Sequence, residues 1–349
     1  MINRLSRPST PAAIEDDLAL LWRDAGREGP VARALMANLV VYRDRPGTED
    51  VDLEAAIEGV PVDDVAQRHP SRLILLHHSA RADASAPVGA TISILLFGPP
   101  HARFGVEEIA VRSTCAEASL PSIVRRLSLG DIPTSIWWTE DLSRATPLDA
   151  LVTMGRQLVY DSRQWSNVSR GVLALAAVIA REHGPDLADL NWRRLTPMRV
   201  ALTQALAPPI GHIDAGAVRV RIGHRHGDAA LAWLLAGWLC SRLGWPDAEE
   251  LPATVEEDVS SPDAAGRPER DVVLRVSIGT SGAPDITASM NAHRVLVEYA
   301  SQMAPFSIAA PAETEAEAIA AELRTLTYDA GLREAVAALA RRFTSSESP

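Results

Sequence analysis

The stretch from Asp131 to Trp165 limits the fold of this 349-residue chain more than any other. An apolar run that ends in Trp137-Trp138 is typical of a buried strand. Pro147 follows at a position where a helix would begin, and Gln157–Tyr160 forms a second short apolar run. The order of strand, helix and strand favours an open sheet with parallel strands in this part of the chain.

Polar residues follow each of these two predicted strands. Thr139–Asp141 come after the first strand, and Asp161–Arg163 come after the second. Because ligands and partners of open parallel sheets bind beyond the carboxyl ends of the strands, these positions are the first candidates for a site. Asp161-Ser162 has an equally ordinary explanation as the N-cap of the helix that follows, so the sequence leaves both roles open.

Helix and strand patterns alternate through the rest of the first half, which predicts an α/β domain with a mixed, partly parallel sheet. The predicted strands are Asn38–Tyr42, Leu73–His77, Val88–Phe97 and Val106–Ser113. The predicted helices are one that follows Thr10-Pro11, then Asp50–Gln67, Ala116–Leu127 and Val168–Glu182.

The second half favours an α+β domain with antiparallel strands. Apolar residues alternate with arginines from Val218 to Ile222, which indicates a half-buried antiparallel strand. Asp186–Arg194 is interpreted as a polar connector and Pro252–Gly266 as a surface loop or edge. We therefore predict an N-terminal domain over residues 1–184 and a C-terminal domain over residues 185–349. The other predicted elements are helices at 196–206, 231–239, 312–326 and 331–343, and strands Val272–Ile278, Ile286–Met290 and Val295–Tyr299.

Composition excludes several classes of function. The net charge of −11 argues against nucleic acid or an anionic membrane as the main partner. Lysine is absent, which removes Schiff-base chemistry and a Walker-type phosphate loop. The first residues contain no apolar core of a signal peptide, and the apolar runs are too short to span a bilayer. Cys115 and Cys240 lie far apart, so we expect a reduced, cytoplasmic protein with two buried thiols and no disulfide.

Local motifs give weak chemical signals. His224-x-His226 would place two rings on one side of a strand, but no third metal ligand stands at a convincing spacing. Gly279–Gly282 would hold an anion through backbone N–H groups, but a hairpin turn explains both glycines better. His69 and Arg72 flank a proline before a strand, where they would bind an anion or cap a turn. We assign no catalytic residue, no metal ligand and no cofactor.

Seven segments of the chain stand in a distinctive order: ALMANLVVY (34–42), HPSRLILL (69–76), SIWWTEDL (135–142), LVYDSRQW (158–165), DLNWRRLTPMR (189–199), LLAGWLCSRLGW (234–245) and ELRTLTYDAGLREAVAAL (322–339). This ordered set resembles the OpcA family, the glucose-6-phosphate dehydrogenase assembly proteins. The likeness covers most of the chain, although Ser71 stands where the family often has cysteine and Met198 where it often has an aromatic residue. Because Cys115 and Cys240 are the only cysteines, we do not expect the thiol-based regulation of photosynthetic relatives.

The resemblance implies a non-enzymatic cytoplasmic protein that binds glucose-6-phosphate dehydrogenase and supports its oligomerisation and activity. The alternative is an enzyme or sensor that binds a small sugar phosphate in the crevice beside Asp161, with Arg72 or Arg163 as the anion clamp. A plain structural scaffold is the third interpretation. The candidate partner- or ligand-binding residues are His69, Arg72, Trp138, Glu140, Asp161, Ser162, Arg163, Trp192 and Arg194.

Overall fold

A computed structural model gives the architecture of most of the chain. The first part of the predicted helix Asp50–Gln67, residues 50–58, lies outside the residues it describes, as does the centre of the 279–282 turn. The described residues are 3–27, 29–44, 59–78, 89–99, 101–144, 147–207, 218–245, 253–257, 272–280 and 283–346.

Nine strands form the first sheet within these residues, and they confirm the predicted mixed, mainly parallel arrangement. The spatial order is β1-β5-β6-β4-β3-β7-β8-β9, and β2 pairs with one end of β6. Only β5 and β1 run antiparallel to their neighbours. The strands are β1 Asn3–Ser9, β2 Val31–Arg33, β3 Ala37–Asp44, β4 Ser71–His78, β5 Gly89–Phe97, β6 Arg103–Ser113, β7 Thr134–Trp138, β8 Gln157–Tyr160 and β9 Asp186–Asp189.

Helices cover both faces of this sheet, and its central strands are therefore apolar on both sides. Trp138 belongs to the apolar cluster on one face, whereas Trp137 belongs to the cluster on the other face. This arrangement follows from the alternation of side chains along a strand. The helices of the first half are α1 Ile14–Arg27, α2 Val62–Arg68, α3 Leu120–Leu127, α4 Leu148–Val152 and α5 Val168–Ile179.

The second sheet confirms the predicted α+β class of the second half. Within the described residues its order is β11-β10-β12-β13-β14-β15, and only the β10–β11 pair is parallel. The strands are β10 Arg219–His224, β11 Ala253–Glu257, β12 Leu274–Thr280, β13 Ala283–Met290, β14 Arg294–Tyr299 and β15 Phe306–Ala309. The helices are α6 Leu190–Arg194, α7 Thr196–Ala205, α8 Ala229–Leu243, α9 Glu315–Thr325 and α10 Ala330–Ser346.

The last two helices return to the first half of the chain. Ala316, Ile319 and Leu323 of α9 are buried with α2 on one face of the first sheet. Helix α10 packs against α5 and α8, which connects the two halves. The division at residue 184 stays a prediction, and strand β9 beyond it is the edge strand of the first sheet.

The predicted polar connector over 186–194 is wrong. Residues 186–189 form β9, which pairs with β8, and residues 190–194 form α6. Acidic residues at both ends of β9 interrupt its apolar pattern, so only the neighbouring strand shows that it belongs to a sheet. Strands β1, β2 and β15 were not predicted for a related reason, because they are short or polar and depend on a partner for their hydrogen bonds.

Candidate functional site

The carboxyl ends of β7 and β8 lie side by side, and the polar residues predicted after each strand lie along this edge of the sheet. Thr139 Oγ1 donates a hydrogen bond to the carbonyl of Tyr42 at 2.7 Å. Glu140 Oε1 accepts the backbone N–H of Asp44 at 3.1 Å. These contacts connect the end of β7 to the end of β3, and Glu140 remains about a quarter exposed.

Asp161 lies directly after β8 and interacts with two arginines. Its Oδ1 accepts the backbone N–H of Arg163 at 3.1 Å and caps the short turn 162–164. Both carboxylate oxygens also accept from Arg194, with two parallel N–O distances of 2.8 Å. Burial lowers the pKa of Arg194, but the hydrogen bonds and the charge of Asp161 outweigh burial and raise it. Asp161 thus caps this turn and not the helix α5 that follows, whose N-cap is Asn167, while a contact role of Asp161 stays a prediction.

Asp189 forms a buried centre beside Asp161. Its Oδ1 accepts the backbone N–H groups of Ser162 at 3.1 Å and Asn191 at 2.9 Å, which joins the turn after β8 to the start of α6. Burial raises the pKa of Asp189 to about 7, and the charge of Asp161 adds to this rise. Asp189 Oδ2 and Asn191 Nδ2 are buried and have no hydrogen-bond partner in the described part of the chain.

Asp228 joins this edge to the second half. It precedes α8 but makes no side-chain hydrogen bond to that helix. Its Oδ2 accepts from Nε of Arg225 at 3.0 Å, and its Oδ1 lies 3.6 Å from Nε of Arg163. Asp228 is only 5% exposed, whereas both arginines are about half exposed. Two cations thus share one buried carboxylate.

A cavity of about 610 Å³ opens between these groups and the second sheet. We name it the inter-sheet cavity. Its charged and polar wall contains Arg163, Arg194, Arg225, Asp228 and Asn191. Its apolar wall includes Leu190, Pro197, Val200, Met290, Ile308 and Pro311. A volume of this size is typical of small-molecule sites.

The other candidates in the first sheet lie away from this cavity. His69 and Arg72 are buried at the amino end of β4, the opposite edge from Asp161. Arg72 forms ion pairs with Glu15 and, at 3.6 Å, with Glu107. Burial and the charge of Arg324 lower the pKa of His69. Arg72 therefore does not serve the crevice beside Asp161, and Arg163 is the remaining clamp of the two that were predicted.

Both tryptophan candidates are interior residues. Trp138 stacks on Tyr42 with ring centroids 4.2 Å apart and is 1% exposed. Trp192 in α6 is 3% exposed, and its Nε1 donates to Asp329 Oδ2 at 2.8 Å. The guanidinium of Arg199 lies over the Trp192 ring at 3.8 Å. Neither tryptophan reaches a ligand or partner without a rearrangement.

His224 and His226, the two histidines of the weak metal motif, each lie beside another protein group. His224 Nδ1 lies 2.9 Å from the carbonyl of Arg225, and His226 Nδ1 lies 3.0 Å from Glu257 Oε1. Over the described ranges, no group of three or more His, Cys, Asp or Glu residues is placed to hold a metal ion. Within the same ranges, no helix is long and apolar enough to cross a membrane.

Four residues of this region are not among the predicted binding candidates: Asp189, Asn191, Arg225 and Asp228. Asp189 and Asn191 were hidden in the segment interpreted as a connector. Arg225 and Asp228 stand in the His224–Asp228 segment, which was interpreted only as a weak metal motif because of its histidines. The available signal was a charged residue after the end of a strand, since residues 225–228 directly follow β10.

Comparison with known proteins places this architecture in one family. Residues 62–177 match the family described as the glucose-6-phosphate dehydrogenase subunit N-terminal domain. Residues 185–336 match the corresponding C-terminal domain. Together the two matches include β4 to β8, the 162–164 turn, α6 and the Arg225–Asp228 segment.

Curated relatives and solved structures are more distant. A protein that carries the provisional name OxPP cycle protein OpcA, from Nostoc punctiforme, is 26% identical over 254 residues, which are 67% of this chain and 51% of that protein. Its namesake from Synechocystis sp. is 27% identical over 52% of this chain and 39% of that protein. The chain thus spans about half the length of these relatives or less. Gal80p, a transcriptional regulator from Kluyveromyces lactis, matches over 94% of both chains with 9% identity and a TM-score of 0.42, which is too low to carry an argument.

Proposed function

Because this chain belongs to the OpcA family of glucose-6-phosphate dehydrogenase assembly proteins, we propose that it binds a glucose-6-phosphate dehydrogenase and supports its oligomerisation and activity. The observation that carries the proposal is the match to both domains of the family, over 62–177 and 185–336. In this proposal the chain is a non-enzymatic, cytoplasmic allosteric activator.

The carboxyl edge of β7 and β8 is the surface we propose for docking. Three of the predicted contact residues there are accessible: Glu140, Arg163 and Arg194 are 28%, 50% and 38% exposed. Arg194 is held in place by Asp161, so its guanidinium is ordered before a partner arrives. An ordered arginine at a surface loses little rotamer entropy on binding, and arginine is enriched among residues that dominate binding energy.

The direct test mixes the purified chain with the dehydrogenase from the same organism. We expect a complex in size-exclusion chromatography with light scattering. We also expect a larger tetramer fraction and higher dehydrogenase activity at equal enzyme concentration. Unchanged mass distribution and unchanged activity over a full titration would refute the proposed function.

A variant pair tests the docking edge separately. Arg194→Gln removes the charge at the proposed surface and should weaken complex formation. Arg27→Gln is the control, because Arg27 is 79% exposed and has one ion pair with Asp24 at 3.2 Å in α1. If both variants bind the dehydrogenase as tightly as the wild type does, the surface is wrong while the family function stands.

A further inference from the structure

The inter-sheet cavity has unused hydrogen-bond donors at its charged wall. Within the described residues, the guanidinium of Arg163 makes only the 3.6 Å ion pair with Asp228. Arg225 uses only its Nε, again toward Asp228. The remaining N–H groups of both side chains stay available, and a guanidinium presents them in a planar fork that matches phosphate oxygens.

The amino ends of three helices border the same cavity. Thr196 and Pro197 begin α7, Asp228 directly precedes α8, and Thr314 caps α9; all four residues line the wall. The amino end of a helix carries a partial positive charge and favours an anion. These ends add to the potential of the two arginines.

A buried amide adds an independent indication of a ligand. Asn191 is 1% exposed and lines the cavity, and its Nδ2 has no hydrogen-bond partner in the described part of the chain. A buried donor without a partner costs about 1–3 kcal/mol, so such groups are rare unless a ligand or water completes them. A hydroxyl or a phosphate oxygen would accept this hydrogen bond.

Carboxylates on the wall limit the class of ligand. Asp228, Glu313 and Glu315 line the cavity together with the four arginines 163, 193, 194 and 225. Arg193 is occupied by Glu313 and Glu322, and Arg194 is occupied by Asp161. Guanidinium N–H groups can donate to phosphate oxygens and carboxylates can accept from hydroxyls, so this mixed wall suits a molecule with one phosphoryl group and several hydroxyls. The apolar wall would pack against the carbon face of its ring.

We propose that the inter-sheet cavity binds a sugar phosphate, with Arg163 and Arg225 holding the phosphoryl group and Asn191 bonding an oxygen of the ligand. Asp228 is a positioning residue, since it keeps both guanidiniums at one place. The site belongs to the chain itself, and binding there does not require the dehydrogenase.

The test is a binding measurement on the isolated full chain. Glucose 6-phosphate, glucose and inorganic phosphate are titrated separately in calorimetry and in thermal unfolding. We expect saturable binding of glucose 6-phosphate with a rise in melting temperature, because a ligand of the folded state stabilises it. Glucose and inorganic phosphate should each bind at least tenfold more weakly. Equal effects of inorganic phosphate and glucose 6-phosphate would overturn the assignment to a sugar phosphate.

Variants locate the binding. Arg163→Gln and Arg225→Gln should each raise the Kd for glucose 6-phosphate at least tenfold, and each leaves Asp228 one cation. Arg144→Gln is the matched control, because Arg144 is 75% exposed and also has one ion pair, 3.5 Å from Asp141. Val200→Trp blocks the cavity without a change of charge, since Val200 lines it and is 40% exposed.

The outcome is distinct from that of the dehydrogenase experiment. No binding to the wild-type chain, or equal binding to the Arg163, Arg225 and Val200 variants, would refute the site while leaving the assembly function intact. Melting curves without ligand show whether each variant is folded, and Val200→Trp remains as a test if an arginine variant is not.

Discussion

Gly237 allows a sharp test of how the second half of the chain is packed. It lies in the middle of α8, where a Cβ atom would stand 2.6 Å from the carbonyl oxygen of Ala335 and 2.8 Å from Cγ of Leu339. Both contacts are in α10, and the nearer one is backbone, which cannot rotate away. The substitution Gly237→Ala therefore forces the two helices apart.

The magnitude follows from two opposing effects. Helix propensity favours alanine over glycine by about 1 kcal/mol in a helix interior. A normal contact of 3.4 Å requires α8 and α10 to separate by about 0.8 Å. A gap of about 0.5–1 Å loses a quarter to a half of the dispersion attraction between packed atoms, and overpacking costs about 1–3 kcal/mol. Because Leu235, Leu239 and Val336 are fully buried nearby, we expect a net loss of about 1–2 kcal/mol.

Gly26→Ala is the matched control. Gly26 also lies in a helix, α1, but a Cβ there would meet no atom of the described residues within 4 Å. The substitution Gly26→Ala should therefore stabilise the chain by up to about 1 kcal/mol. Urea unfolding followed by circular dichroism gives the free energy of unfolding for both variants and the wild type.

The sign of the change decides the result. Propensity alone predicts that both substitutions stabilise the chain, whereas the packing predicts opposite signs. If Gly237→Ala unfolds at the same or a higher urea concentration than the wild type, α8 and α10 do not approach closely enough to place a Cβ atom 2.6 Å from the Ala335 carbonyl oxygen.

Four further predictions concern single residues. Burial raises the pKa of Asp189 to about 7, so its stabilising contribution should be complete at low pH and be lost as pH rises from about 4 toward 8. In urea unfolding, Asp189→Asn should remove this part of the pH dependence of the unfolding free energy. The same pH dependence in the variant and the wild type would contradict the prediction. Trp138→Ala should cost about 3–5 kcal/mol in the same assay, because the ring is buried against Tyr42, and a loss below 1 kcal/mol would contradict the packing. Asp161→Ala should cost only about 1 kcal/mol, since its partner Arg194 is 38% exposed, yet it should weaken the complex with the dehydrogenase; full activation by this variant would leave Asp161 as a cap alone. The expectation of two buried thiols is wrong for Cys115, which is partly exposed, whereas Cys240 is buried. At pH 8 a thiol reagent should therefore label Cys115 of the native chain and leave Cys240 unmodified, because burial raises the pKa of Cys240 to about 12; equal labelling rates would contradict this.

The sequence was sufficient where the pattern within a segment carries the information. Strands β3, β4, β7 and β8 were predicted within about three residues, because a strand buried on both faces is continuously apolar. The cap role of Asp161 was also visible, since an aspartate before a turn needs only the residues that follow it. The ordered segments further indicated the family, which the matches over 62–177 and 185–336 then showed.

Only the tertiary structure decided which distant segments meet. Arg72 and Asp161 were both predicted as site residues because they stand in polar segments beside a strand. They lie at opposite edges of one sheet, since Arg72 is at the amino end of β4 and Asp161 follows the carboxyl end of β8. Asn191, Arg225 and Asp228 line one cavity, although they come from two segments on either side of α7. Strand β9 and helix α9 show the same dependence, since β9 is completed by hydrogen bonds from β8 and α9 buries its apolar side against a sheet formed far earlier in the chain. Such contacts depend on partners that local propensity does not specify, and the inter-sheet cavity is formed entirely by them.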